Sequence, residues 1–206
     1  HSVIHKHGPA RPRGGSGMLT QALAAYIRDH GGEVLPDNEV EEILVEDGRA
    51  VGARTVHGET FTAKRVISNA HVWVTFLDLL AKWVPSDLRS RIERIHVGNG
   101  FGMVVRAAMD KLPEYTLNDA SNEEVLRGLQ LLSPTTQYLN DAYADYLRGE
   151  PSRDPAVVAM TFSAIDPTLA PEGKHTLFLW GQYYPYKLRN GGDWDDIAER
   201  EAKKLF

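Results

Sequence analysis

The sequence predicts an α+β protein in which helices cover an antiparallel sheet. Three observations carry this. Residues 156–165 and 176–186 are long strand candidates, joined by the turn-rich Asp166-Pro167 to Pro171-Glu172-Gly173 connection, and would pair antiparallel. Asp47-Gly48 is a hairpin turn signal between strand candidates at 40–45 and 50–56. Apolar residues also recur at helical spacing in several stretches, beginning with Leu19, Ala22, Leu23, Tyr26 and Ile27.

Residues 1–13 read as an N-terminal arm rich in His, Lys, Arg and Pro. The run Pro12-Arg13-Gly14-Gly15-Ser16-Gly17 then feeds a helix over 18–30, which Gly31 stops in the left-handed region. A glycine loop at a helix N-terminus offers main-chain N–H groups and the positive end of the dipole, which suits an anion. Short strands are expected at 33–35 and 65–67, the second entering Ser68-Asn69-Ala70. Helices are expected at 74–81 and 86–95, separated by Pro85, with Ser86 as N-cap and Asp87 behind it. Residues 101–109 read as a strand, and 111–155 as a mostly helical insertion with its clearest helix at 135–148. The acidic group Asp193, Asp195 and Asp196 is expected to cap a helix starting at Trp194.

The 206 residues are enough to bury a core, and 42% hydrophobic with 25% charged residues is ordinary for a globular protein. A net charge of −5, with Lys and Arg dispersed, argues against a nucleic-acid partner. The absence of cysteine excludes disulfides, thiolate chemistry and cysteine-held zinc. No transmembrane segment is expected, because the longest apolar run, 73–84, is interrupted by Asp78 and Lys82.

The glycine loop is neither a G-x-G-x-x-G fingerprint nor a P-loop, and a structural turn is its plainer reading. Gly98, Gly100 and Gly102 shape a bend into a strand. His1, His5 and His7 lie on an arm with nothing to orient their rings, so no metal site is expected. No nucleophile elbow occurs, and no residue stands out as a catalytic acid or base. The best ligand wall is the aromatic strand, where alternation puts Trp180, Gln182, Tyr184 and Tyr186 on one face. Core packing is the default for such a strand, but rings with one amide also suit an apolar substrate with a few polar anchors.

Longer motifs carry a family resemblance over nearly the whole chain. Gly14-Gly15-Ser16-Gly17-Met18-Leu19-Thr20-Gln21-Ala22-Leu23, His30-Gly31-Gly32-Glu33-Val34, Val40-Glu41-Glu42-Ile43 and Arg65-Val66-Ile67-Ser68-Asn69-Ala70 resemble the central region of the phytoene desaturase-related flavoproteins. Ser163-Ala164-Ile165-Asp166-Pro167-Thr168-Leu169 and Gln182-Tyr183-Tyr184-Pro185-Tyr186 resemble the branch typified by pyridine nucleotide-disulphide oxidoreductase domain-containing protein two. The resemblance implies an FAD-dependent oxidoreductase acting on an apolar substrate. It adds to the α+β sheet the middle segment of a glutathione-reductase-like, Rossmann-type FAD domain. Residues 14–72 would be that segment, 73–190 the substrate-binding domain and 191–206 a truncated helix. Gly14, Gly15, Val40, Asn69 and Ala70 would approach the FAD, with Val40 using its backbone. Trp180, Gln182, Tyr184 and Tyr186 would shape the substrate cavity. A bacterial member would be cytoplasmic and a eukaryotic one mitochondrial.

The chain opens on His1 and closes on Leu205-Phe206 without a stop signal, and lacks the glycine fingerprint of the family. It is therefore expected to be a central fragment, inactive and without FAD by itself, that self-associates through apolar surface where other segments would dock. Two other readings stay open: a non-catalytic interaction module that kept the fold, and an amine-oxidase-like flavoenzyme.

Overall fold

A computed structural model describes residues 6, 10–100, 102–116 and 121–206. Residues 1–5 and 7, with the histidine arm reading, lie outside the described part. The chain forms two compact units, residues 24–97 and residues 1–23 with 98–206. Helix α1, Gly17–Asp29, carries the chain from one to the other.

In the unit 24–97, strands β1 (Val40–Glu46), β2 (Arg49–Thr55) and β3 (Thr60–Thr62) form an antiparallel sheet in that order. Asp47 and Gly48 both take positive φ, 47° and 75°, as a two-residue turn matched to strand twist requires. Gly52 brings β3 so close that a Cβ would overlap the Phe61 carbonyl. Ile43 and Thr55 are buried. The expected helix at 74–81 is instead a π-helical turn, Val74–Leu79, in which Leu80 N–H reaches back to the Thr75 carbonyl at 3.1 Å. The Thr75 hydroxyl ties this turn to Ser68 Oγ at 2.8 Å. Helix α2, Ser86–Glu93, follows, with Pro85 rather than Ser86 at its N-cap. Trp73 donates its indole N–H to the Ile92 carbonyl at the end of α2 (2.9 Å).

The second unit is built on a four-stranded sheet of order β4-β7-β6-β5. Its strands are β4 (Gly102–Met109), β5 (Gln130–Leu132), β6 (Val157–Met160) and β7 (His175–Gln182), and every pairing is antiparallel. One face is closed. Val157, Ala159, Leu177 and Leu179 form its core with Tyr184 and Leu205, and Met103, Val105, Ala107 and Met109 pack against them. Leu205 follows helix α5, Ala198–Lys203. Helix α3, Asn122–Leu126, opens with a Ser121–Glu124 capping box, and the Thr135 hydroxyl caps helix α4, Thr136–Leu147. Asp145 of α4 is buried and bonds Arg148, Arg153 and the Arg153 main chain.

The Rossmann-type part of the expected fold class is not found. Both sheets are antiparallel, and neither 33–35 nor 65–67 forms a strand. A lone extended segment has no ladder to hold it, and no described strand pairs with either stretch in parallel. What stands is an α+β fold with antiparallel sheets and helices.

Other expectations shift for local reasons. The strand expected at 156–165 ends at Met160, because Phe162–Ala164 turns into a 3₁₀ helix. Strand β7 ends at Gln182, because Tyr183 takes φ +65°. Trp194 opens no helix; its indole N–H bonds the Pro185 and Tyr186 carbonyls, and α5 starts only at Ala198. Strand β5 was not expected within the helical insertion. Finally, no residue of α1 is buried: Leu19, Leu23, Tyr26 and Ile27 all stay exposed despite their helical spacing.

Candidate functional site

The open face of the four-stranded sheet presents Thr176, Phe178 and Trp180 from β7. Register places Ala108, Arg106 and Val104 of β4 opposite them, and Met160 and Val158 of β6 beside Phe178 and Trp180 on the other side. A cavity of about 630 Å³ lies on this face, within the range of small-molecule sites. Its lining includes Arg106, Met160, Phe162, Phe178 and Trp180 from the sheet side, and Arg11, Gly15 and Ser16 from the glycine loop.

Local geometry fixes both walls. Gly14 and Gly15 take φ of 82° and 98°, a conformation that side chains resist. The Gly14 N–H donates to Asp166 Oδ2 at 2.6 Å, so the anion it meets is a carboxylate of the chain itself. Asp166 also caps the 3₁₀ turn Pro167–Leu169, accepting from Thr168 N–H at 3.1 Å and the Thr168 hydroxyl at 2.6 Å. That hydroxyl, and then the Gly14 N–H, hold the Asp166 carboxyl below its ordinary pKa. A Cβ at Gly15 would come to 3.5 Å from a Leu169 methyl of the turn. The Arg11 guanidinium lies 3.5 Å from the Phe162 ring centroid, and the Arg106 guanidinium 6.0 Å from that of Phe178.

Of the four expected wall residues, the structure keeps Trp180 and Gln182 on one face and separates the rest. After the turn at Tyr183, Tyr184 enters the opposite, closed face, where it is 2% exposed. Burial first, then the nearby Glu201 charge, raise its phenol pKa. Tyr186 is exposed and lies against Gly100, whose missing Cβ, which would sit 2.9 Å from the Tyr186 Cβ, allows the approach. There Asn99 clamps the chain, accepting from Lys187 N–H at 2.7 Å and donating to the Lys187 carbonyl at 2.9 Å.

The residues expected near FAD fall in both units. Gly15 lines the cavity above, and Gly14 anchors its loop. In the unit 24–97, Val40 stands on the edge strand β1 and Asn69 is exposed. Ala70 lines a second cavity of about 420 Å³ with Ile43, Val66, Ser68, Thr75 and Phe76.

Sequence reasoning passed over Arg11, Arg106, Phe162 and Asp166. Arg106 carried a signal, as a cation amid the apolar run of β4. The other three reach the site only through the turns that precede or follow the strands.

The chain matches the flavin containing amine oxidoreductase family model over residues 4–180, and it belongs to that family. It is thus a member of a family of FAD-dependent oxidoreductases. It is 31% identical to rat pyridine nucleotide-disulfide oxidoreductase domain-containing protein 2, over 94% of this chain and 35% of that protein. It is 30% identical to the neurosporene-forming phytoene desaturase of Rhodobacter capsulatus, over 94% of this chain and 36% of that one. The chain thus spans about a third of the length of these relatives. They show the family and not the branch. An oxidoreductase from Methanosarcina mazei shares the fold at a TM-score of 0.65 and 21% identity, over 98% of this chain and 39% of its own. No helix among the described residues is long and apolar enough to cross a membrane.

Proposed function

We propose that this chain supplies the substrate-facing sheet of an FAD-dependent oxidoreductase of the phytoene desaturase-like class, acting on an apolar small molecule. The observation that carries the reading is the cavity shared by the glycine loop and the aromatic face of β7. Residues 14–72 serve the flavin side and 73–190 the substrate side. A cytoplasmic setting in a bacterium, or a mitochondrial one in a eukaryote, goes with this reading.

The residues fit a flat group recognised by main-chain atoms and apolar contact. Gly15 presents no side chain to the cavity, Val40 lies on a sheet edge, and Ala70 borders an apolar hollow. Gly14, Gly15, Val40, Asn69 and Ala70 would hold FAD, which when bound accepts the reducing equivalents taken from the substrate. The chain's own part is to bind and orient. Phe178, Trp180 and Met160 offer an apolar floor, with Gly15 and Ser16 of the glycine loop along the cavity lining.

The test uses the complete protein. It is expected to purify yellow, with flavin absorbance retained through gel filtration, and Gly15→Leu is expected to lower its flavin content or substrate turnover. A colourless protein that does not respond to added FAD would favour a binding module that kept the fold without the coenzyme.

A further inference from the structure

We infer that the substrate is an amphipathic acid, with an apolar body on Phe178, Trp180 and Met160 and a carboxylate between Arg11 and Arg106. This deepens the proposed function and rests on its reading of the cavity as the substrate site.

Charge complementarity decides the class. The described lining of the cavity holds two guanidinium groups and no Asp or Glu. Among the described residues no carboxylate lies within ion-pair distance of Arg11 or Arg106, whereas seven other arginines pair with Asp or Glu. Two like charges facing one hollow without a counterion are a standing repulsion that an anion relieves. An alkylammonium would add to it, so the cavity disfavours an amine.

A cation held over a ring keeps its own donors. The Arg11 guanidinium carbon lies 3.5 Å from the Phe162 ring centroid, and a guanidinium carries its N–H groups along the edges of its plane. Those edges form the planar fork that matches a carboxylate. Arg106 springs from β4 opposite Phe178, with its guanidinium carbon 6.0 Å from the Phe178 ring centroid, so a ligand lying on that ring has a cation within reach of its carboxylate.

The experiment compares decanoate, decanol and decylammonium binding to the complete protein by calorimetry at neutral pH, with flavin content read from visible absorbance of the same samples. Decanoate is expected to bind about tenfold or more tighter than decanol, with decylammonium weakest. Arg106→Gln or Arg11→Gln should erase much of that preference and leave decanol binding unchanged, and Arg106→Lys should restore part of it. Both arginines are exposed, so these variants should keep the wild-type circular dichroism. Equal binding of decanoate and decanol, no binding of either, or a preference that survives the double Gln variant would overturn the inference. Displacement of decanoate by millimolar inorganic phosphate would overturn it too, by assigning the arginines to a phosphate. A colourless protein that still prefers decanoate would refute the flavin reading alone, and a yellow protein without the preference would refute this inference alone.

Discussion

The indole of Trp180 lies directly across Gly102, so that a Cβ at residue 102 would overlap the indole nitrogen. Register sets this up. The Gly102–Gln182 pair lies two positions beyond the Val104–Trp180 pair in the antiparallel ladder, so both pairs belong to the open face. The bare α-carbon is what leaves room for the ring beside the cavity.

Gly102→Ala is expected to swing the indole off the strand rather than break the sheet, because that face is open. Tryptophan fluorescence should shift and decanoate affinity should fall about as far as in Trp180→Ala, with stability reduced by no more than roughly 1–3 kcal/mol. Unchanged emission and affinity would mean that the ring does not need this position.

Gly181, the neighbouring residue on the closed face, should behave differently. A Cβ there would lie 2.6 Å from a Leu205 methyl and 2.8 Å from the Tyr184 ring, both in the core. Neither can move into solvent, so Gly181→Ala should cost about 1–3 kcal/mol in urea unfolding while leaving ligand preference intact. Leu205→Ala, which empties the same place, should cost about 2–5 kcal/mol.

Asp166 ties the glycine loop to the 3₁₀ turn, and its carboxyl is held below its ordinary value first by the Thr168 hydroxyl and then by the Gly14 N–H. A lowered folded pKa means that this contribution is present at neutral pH and is lost as pH falls through the folded value. The Gly14 amide resonance should therefore titrate with a midpoint below the ordinary aspartate range. Asp166→Ala should abolish that titration and speed Gly14 amide exchange. A midpoint at or above the ordinary value would contradict the assignment.

Tyr184 carries a buried hydroxyl with no hydrogen-bond partner among the described residues, so Tyr184→Phe removes an unsatisfied polar group. The variant is expected to be as stable as the parent or more so at neutral pH. Burial, and then Glu201, raise the phenol pKa in the folded chain, whereas the unfolded chain ionises at the ordinary value. Ionisation of the phenol thus contributes nothing below that value and increasingly destabilises the fold as pH climbs beyond it. Melting temperatures should fall less steeply in Tyr184→Phe across that alkaline range.

Patterns confined to a few residues were legible in the sequence. Asp47-Gly48 specified its hairpin because only a small set of residues tolerates two successive positive φ angles. The alternation of β4 and β7, the helix at α4 and the glycine loop before α1 were equally readable from period and turn chemistry. Those features gave an α+β chain with antiparallel pairing, an aromatic strand, and motifs specific enough to point to a flavoprotein family.

Tertiary structure decided which side each of these residues serves. One positive φ at Tyr183 interrupts the alternation and sends Tyr184 into the core while Trp180 stays in the cavity. No periodic rule anticipates it, because period holds only while the strand does. The cavity itself joins Arg11 and Ser16 to Arg106 and Phe178, far along the chain, through one carboxylate bond and one cation–ring contact. Pairing in parallel likewise needs a partner strand, so residues 33–35 could look like a Rossmann-type strand in sequence and still form no ladder in space. Local preference determined the elements; only long-range packing chose their faces and assembled the site.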